Sequence, residues 1–538
     1  MTPLKKHLTF VLLSVTVLAL ITACGTPSTD STEPAAAKSI TVGLGSEPPN
    51  LDPRNYNYTA GTFAVAWQIF EPLVYHDTRT DELIPGLAES WEQIDPTTYE
   101  FKLREGVTWH DGEPFTADDV AWTLTRGPRP IQEFVLNPDQ PVEVVDDYTI
   151  RVYTANPIGY FMVQSIALNL RIMPEHILAE RYADCRTAMD EEGLDAETTG
   201  EICTEIEKNQ VWTENIVGTG PFKLESWEPG VNIVLAANPD YWGGAPKIDE
   251  LVFKWVEEEA TRIINLESGE YDLILGVPDT DIERLEGEEN ISLLKSPGYG
   301  YDMITLNEAV PELADVRVRQ AIAYAVDKES LMKLFPGVVT RTCGPLSTRS
   351  SFYNDTVNCY DYDPDQAKAL LAEAGWEPGT SLTLKTPPNQ QNEAQLIQRN
   401  LQDVGIDVEL LTVETGAYYQ EVRDGQSELA LYGFSNIVDP DHMYWVFHKD
   451  WILGQASAYQ NNTVSSLLEE GQTVTDQEQR RDIYNEAQQM IVDDDAVAVF
   501  LYSHDDVRAY RNDRITGLEE MPLPTDVVYW LRSADVVE

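Results

Sequence analysis

The side chains whose types and spacing could do chemistry fall into a few short clusters along the 538 residues. Asp361-x-Asp363-x-Asp365 has the opening spacing of a calcium-binding EF-hand loop. Its sixth position is Gln366, where the tight turn needs glycine, and its twelfth is Ala372, where a bidentate glutamate belongs. The run reads better as a helix start, with Asp363 as cap, Pro364 at the first helical position and Asp365 against the dipole. Ser503-His504-Asp505 holds the residue types of a hydrolytic triad, but adjacency in sequence is not triad geometry, and no Gly-x-Ser-x-Gly elbow accompanies it. Gly43-Leu44-Gly45 runs into Ser-Glu-Pro-Pro, which cannot open the helix that a dinucleotide or P-loop site requires. The 7 histidines form no His-x-x-x-His pair. Asp118-Asp119 and Asp493-Asp494-Asp495 read as solvated helix faces rather than a glycosidase dyad. No catalytic residue, metal site or cofactor is assigned, and an extracellular hydrolase with an acidic dyad is kept only as the distant alternative.

The cysteines divide by position. Cys24 closes Ile21-Thr22-Ala23-Cys24 after Lys5, Lys6 and an apolar stretch over 8–19 that is too short to span as a mature helix. The pattern is that of a lipoprotein signal peptide over 1–23, with Cys24 as the lipidated residue and 24–38 as a Thr/Ser/Pro/Ala tether. The chain beyond is then expected outside the cell, held to the membrane by lipid. In that oxidising compartment Cys185 with Cys203, and Cys343 with Cys359, are the sequence-local disulfides, each contributing about 3 kcal/mol. Neither pair has Cys-x-x-Cys spacing or a nearby histidine, so staples are favoured over a zinc or redox role.

These residues need a scaffold, and the composition supplies one. With 42% hydrophobic and 9% aromatic residues the chain can bury a large core, in two or more lobes. Lys+Arg 37 against Asp+Glu 91 gives a net charge of −54, which repels nucleic acid and anionic head groups. Alternating strands are expected at 39–44, 98–103, 145–154, 233–236, 250–256, 272–276 and 301–307. A helix over 259–268 ends at Gly269, another covers 315–327, and 365–374 is closed by Gly375. From 381 to 424 the pattern is strand, helix, strand, helix, and 496–502 is a late apolar strand. The fold class is α/β with mixed sheets. The segment 177–211 is polar and helix-prone, as an insertion would be.

Several longer runs are more specific than any of these. They include Ser46-Glu47-Pro48-Pro49-Asn50-Leu51-Asp52-Pro53, Ile69-Phe70-Glu71-Pro72-Leu73-Val74, and Pro85-Gly86-Leu87-Ala88-Glu89-Ser90-Trp91. Further on come His110-Asp111-Gly112-Glu113-Pro114-Phe115-Thr116-Ala117-Asp118-Asp119-Val120, Gly218-Thr219-Gly220-Pro221-Phe222, Asn238-Pro239-Asp240-Tyr241-Trp242 and Val318-Arg319-Gln320-Ala321-Ile322-Ala323-Tyr324-Ala325-Val326-Asp327. Over about 45–502 the chain resembles family 5 of the extracytoplasmic solute-binding proteins, the oligopeptide, dipeptide and nickel group that serves ABC importers. The resemblance implies a two-lobed clamp with a peripheral domain. It puts lobe I at 39–70, 212–303 and 504–538, the peripheral domain at 71–211 and lobe II at 304–503. It further implies a monomer that holds a peptide or other small solute between its lobes and passes it to membrane permease subunits driven by cytoplasmic ATPases.

In peptide-binding members the loop after Leu-Asp-Pro lines the cleft, which falls here on Asn57, Tyr58 and Thr59. Those members also carry a Gly-Trp with an aspartate three places after the tryptophan, pairing with the peptide's α-ammonium. Gly433-Phe434-Ser435-Asn436-Ile437 has Phe434 for that tryptophan and Ile437 for that aspartate, so a free α-amine is expected to matter less. A one-residue slip brings in Asp439 instead, and Arg423 matches an arginine near the family's pocket. Peptide is the leading ligand. Tyr418, Tyr419, Phe434, Asn436, Tyr444 and Trp445 would also suit an oligosaccharide, with rings for pyranose faces and amides for hydroxyls. Nickel or haem capture is a weaker third option given so few histidines.

Overall fold

Residues 37–53, 60–77, 80–126, 135–179, 216–296, 298–435, 437–518 and 531–537 are described by the computed structural model. The strand Ser39–Leu44 buries Ile40, Val42 and Leu44 completely. It lies near the middle of a seven-stranded sheet, parallel to Glu250–Trp255 on one side and Leu273–Leu275 on the other. Asn232–Ala237 and Phe222–Glu228 extend the first side; Asp506–Arg511 and Ile291–Ser296 extend the second. The helix Ala60–Ile69 covers part of this sheet and carries Val65, Ala66 and Ile69 into the same apolar core as Phe253 and Leu273.

A second, six-stranded sheet runs Val339–Arg341, Ala498–His504, Tyr301–Leu306, Leu429–Phe434, Ser381–Thr386, Asp407–Thr412. The strand-helix-strand-helix pattern read over 381–424 is present as Ser381–Thr386, Gln391–Asp403, Asp407–Thr412 and Thr415–Arg423, with the two strands parallel. Helix ends follow local chemistry. The Asp363 carboxylate accepts from the N–H groups of Asp365 and Gln366 with Pro364 in the first turn, and Gly375 closes Pro364–Ala374 at φ 76°. Cys343 and Cys359 are disulfide-bonded, with Cα atoms 4.5 Å apart.

A four-stranded antiparallel sheet, Ala88–Asp95, Thr98–Leu103, Thr149–Tyr153 and Val142–Asp146, packs one face with Tyr99, Phe101, Ile150 and Val152 against Trp109 and Phe115. One reading is corrected beside it. Asp119 is not on a solvated helix face: it is 4% exposed, and its carboxylate accepts from the N–H groups of Thr116 and Glu175 and from the Trp109 indole. Reaching back to cap its own helix draws it inside, where burial raises its pKa. All three sheets belong to a compact unit over Lys38–Glu538. Cys24, residues 1–36 and the Cys185 and Cys203 pair lie outside the described residues. Among the described residues no helix is long and apolar enough to cross a membrane.

Candidate functional site

Four strands of the six-stranded sheet, Ser381–Thr386, Asp407–Thr412, Leu429–Phe434 and Ala498–His504, point the same way. Their carboxyl ends gather at one edge, which is where open α/β sheets take ligands. At that edge the chain crosses to the seven-stranded sheet twice, between Ile291–Ser296 and Tyr301–Leu306, and between Ala498–His504 and Asp506–Arg511. The crossings touch. A Cβ on Gly298 would sit 2.1 Å from the His504 carbonyl, and one on Gly300 would sit 2.0 Å from that of Phe434, so only glycine permits the approach.

Around this hinge is a cavity of about 390 Å³. Its floor is Gly300, Asp302 and Gly433, ring faces come from Tyr419 and Phe434, and the far wall is His504, Asp505 and Asp506. Asp302 Oδ2 lies 3.0 Å from His504 Nε2. Burial opposes charge on His504, yet Asp302, with Asp279 and Glu393 behind it, outweighs burial and raises the histidine pKa. Burial also raises Glu393, Asp279 and Asp505. Asp506 pairs with Arg508 at 2.8 Å, and Asp505 accepts a long 3.4 Å bond from the Thr340 hydroxyl. The site thus joins several carboxylates to aromatic faces, a combination suited to an ammonium group flanked by apolar matter. The Ser503 hydroxyl donates to the Thr340 carbonyl rather than to His504. Among the described residues no three or more His, Cys, Asp or Glu side chains are arranged for a metal.

Of the residues singled out from the sequence, Tyr419 and Phe434 reach this cavity. Tyr418 is buried behind it, its hydroxyl donating to the Leu431 carbonyl, and Tyr419 stands edge-on to Tyr432 at 5.4 Å. Arg423 is exposed at the end of its helix. Trp445 is 47% exposed, bonded to Asp441 and packed on Trp451, away from the cavity. Asp439 lies elsewhere, held bidentately by Arg480 at 2.8 and 2.6 Å with both side chains buried. Ile437 is buried too, its N–H donating to the Tyr299 carbonyl. Asn57, Tyr58, Thr59 and Asn436 lie outside the described residues. Asp302, His504, Asp505 and Asp506 were not anticipated as ligand-facing. The one sequence signal for them was the polar Ser-His-Asp-Asp run that ends a long apolar strand.

Residues 82–452 match the model of the bacterial extracellular solute-binding proteins, family 5. The chain belongs to family 5. This family 5 protein is 30% identical over 489 residues to the dipeptide-binding protein of Escherichia coli K12, covering 84% of this chain and 87% of that protein. It is 29% identical over 499 residues to heme-binding protein A of Haemophilus influenzae, 87% of each chain. Among solved structures it matches the ABC transporter substrate-binding protein CtaP of Listeria monocytogenes at 26% identity and TM-score 0.80, covering 93% of this chain and 100% of that one. DppA of Helicobacter pylori, solved with the peptide STSA, matches at 26% identity and TM-score 0.69 over 93% and 99%. The neighbours are two-lobed binding proteins, and this chain shares that α/β architecture.

The family 5 motifs mostly hold the scaffold. Glu71 is fully buried and accepts from the hydroxyls of Tyr75 and Tyr241 and from the Trp242 indole at 2.7–2.9 Å, tying two distant motifs together. Its pKa is raised by burial in spite of those donors. His110 clasps the Gly218-Thr219-Gly220 run, taking the Gly218 N–H on Nδ1 at 3.2 Å and placing Nε2 3.0 Å from the Gly220 carbonyl.

Proposed function

We propose that this family 5 protein is the lipid-anchored binding component of an ABC importer and that it captures di- and oligopeptides. In this reading lobe I comprises 39–70, 212–303 and 504–538, lobe II comprises 304–503, and 71–211 is peripheral. The protein acts as a monomer and hands the solute to membrane permease subunits. Hinge closure follows from differential affinity: the solute bonds both walls only when they approach, so binding shifts the population toward the closed form.

The observation that carries the peptide reading is the hinge cavity, where Asp302 and Asp505 stand beside the rings of Tyr419 and Phe434. A peptide's ammonium needs a carboxylate once desolvated, since burying it unpaired costs several kcal/mol. Position 437 offers none, and Asp302 supplies it from another strand. On this proposal the α-amine pairs at Asp302, in place of the lesser role that the isoleucine at 437 suggests.

Thermal unfolding of the mature protein tests this. A free peptide at about a hundred times its Kd should stabilise the fold by about 2.7 kcal/mol. N-acetylation of the peptide, or Asp302→Asn, should weaken binding at least about tenfold. Stabilisation by oligosaccharides and not by peptides would replace the ligand class.

A further inference from the structure

Among the residues that line the hinge cavity one is a base, His504. It already sits on the carboxylate where the peptide reading places the ligand's ammonium. Its Nε2 lies 3.0 Å from Asp302 Oδ2, with the imidazole 42% exposed and the aspartate side chain 14%. The other carboxylate oxygen is turned into the sheet. Asp302 faces Gly433 across the strand pairing, and a Cβ on that glycine would stand 1.9 Å from Asp302 Oδ1. An ammonium that pairs with Asp302 from the cavity thus contends with the imidazole for the same group.

The ring is held there by its neighbours. It packs edge-on against Phe335 at 4.9 Å and Tyr502 at 5.3 Å. The charged groups that act on it are acidic and come from separate elements: Asp302, Asp279 of the turn Asp279–Asp281, and Glu393 of the helix Gln391–Asp403. Asp505 adjoins it in the chain, itself influenced by Lys295 and Arg349, and Asp506 is engaged by Arg508. Burial works against a charged ring, but the carboxylates outweigh it and raise the histidine pKa. In the ligand-free protein His504 therefore stays protonated further toward neutral pH than an ordinary histidine.

We propose that the ligand's ammonium replaces the His504 imidazolium as counter-ion of Asp302, so that binding expels a proton from that ring. This rests on the peptide reading. The ammonium keeps its three protons; one N–H bond of the imidazolium breaks, its electron pair stays on nitrogen, and the proton passes to solvent. Two cations on one partly buried carboxylate repel. A histidine, unlike a lysine or arginine, relieves that repulsion by shedding its proton close to neutral pH. A neutral solute leaves the Asp302–His504 pair intact, so His504 ties the capture of cationic solutes to pH and leaves that of neutral ones free of it. Affinity for a free peptide then rises with pH between the ring's pKa in the complex and its higher pKa in the ligand-free protein.

Calorimetric titration of the full mature chain with alanine peptides of about two to five residues, in two buffers of different ionisation enthalpy, counts the protons. At about pH 6.5, roughly half a proton or more should be released per bound free peptide. The N-acetylated peptides should release none. His504→Gln, which keeps a hydrogen-bond donor beside Asp302, should abolish the release and flatten the rise of affinity between about pH 5.5 and 7.5. NMR titration of the ligand-free protein gives a readout that needs no ligand: the His504 ring should titrate above about 6.5, and lower in Asp302→Asn. Peptide binding without proton release, a release that persists in His504→Gln, or a ring that titrates below about 6.5 overturns the exchange and leaves the peptide reading intact. Failure of every free peptide to bind would sink the peptide reading and the exchange with it.

Discussion

His110 shows how a single side chain ties acid stability to the fold. With Nδ1 accepting from Gly218 and Nε2 facing the Gly220 carbonyl, only the neutral ring with its proton on Nε2 satisfies both neighbours. Burial pushes its pKa down to about 4 from 6.5. The folded value lies below the unfolded one, so the neutral ring's contribution is complete above about 6.5 and is lost as pH falls through about 4. Denaturant unfolding at a series of pH values should show a stability gap between the native protein and His110→Asn that narrows by about 3 kcal/mol across that window. A gap that stays constant would mean that the ring does not titrate there. At this scale the sequence was least informative. Asp302 and His504 are some 200 positions apart and become neighbours only through antiparallel pairing of Tyr301–Leu306 with Ala498–His504. No periodicity or motif encodes such a meeting. Asp439 stood out in the sequence, but its partner Arg480, 41 positions away on the helix Gln477–Gln489, did not.

Elements were far more legible, because caps, periods and breakers act within a few residues. Glu259–Ser268 and its left-handed Gly269, the Asp363 cap and the strand-helix alternation after 381 all follow from local chemistry. What local chemistry leaves open is which strands adjoin. Asp506–Arg511 joins the seven-stranded sheet beside Leu273–Leu275, and only the assembled fold reveals that neighbour. Glycines likewise look alike in sequence but do different work. A Cβ on Gly218 would lie 1.9 Å from the Ile69 carbonyl at the end of Ala60–Ile69, whereas Gly112 has nothing within 4 Å and needs glycine only for φ 95°. Gly218→Ala must therefore push backbone against backbone in a close-packed region, and a loss of about 3 kcal/mol or failure to fold is expected. Gly112→Ala should cost about 1–2 kcal/mol. Chemical denaturation of the two variants checks the order, and comparable losses would show that the Gly218 loop can move aside.

For the whole molecule the proposed lipid anchor has to hold against the charge of a strongly acidic chain. A net charge of −54 opposes adsorption to anionic head groups, and this repulsion is screened rather than strengthened by salt. The proposed diacylglycerol on Cys24 would hold against that repulsion: each buried methylene contributes about 0.8 kcal/mol, and two chains hold where one binds only marginally. Membrane fractionation separates this from electrostatic adsorption. The native protein should stay in the pellet through low- and high-salt washes and leave with detergent, whereas Cys24→Ser should appear as soluble protein or as uncleaved precursor. Release of the native protein by a change of salt alone, or a processed Cys24→Ser that still pellets, would require a different anchor.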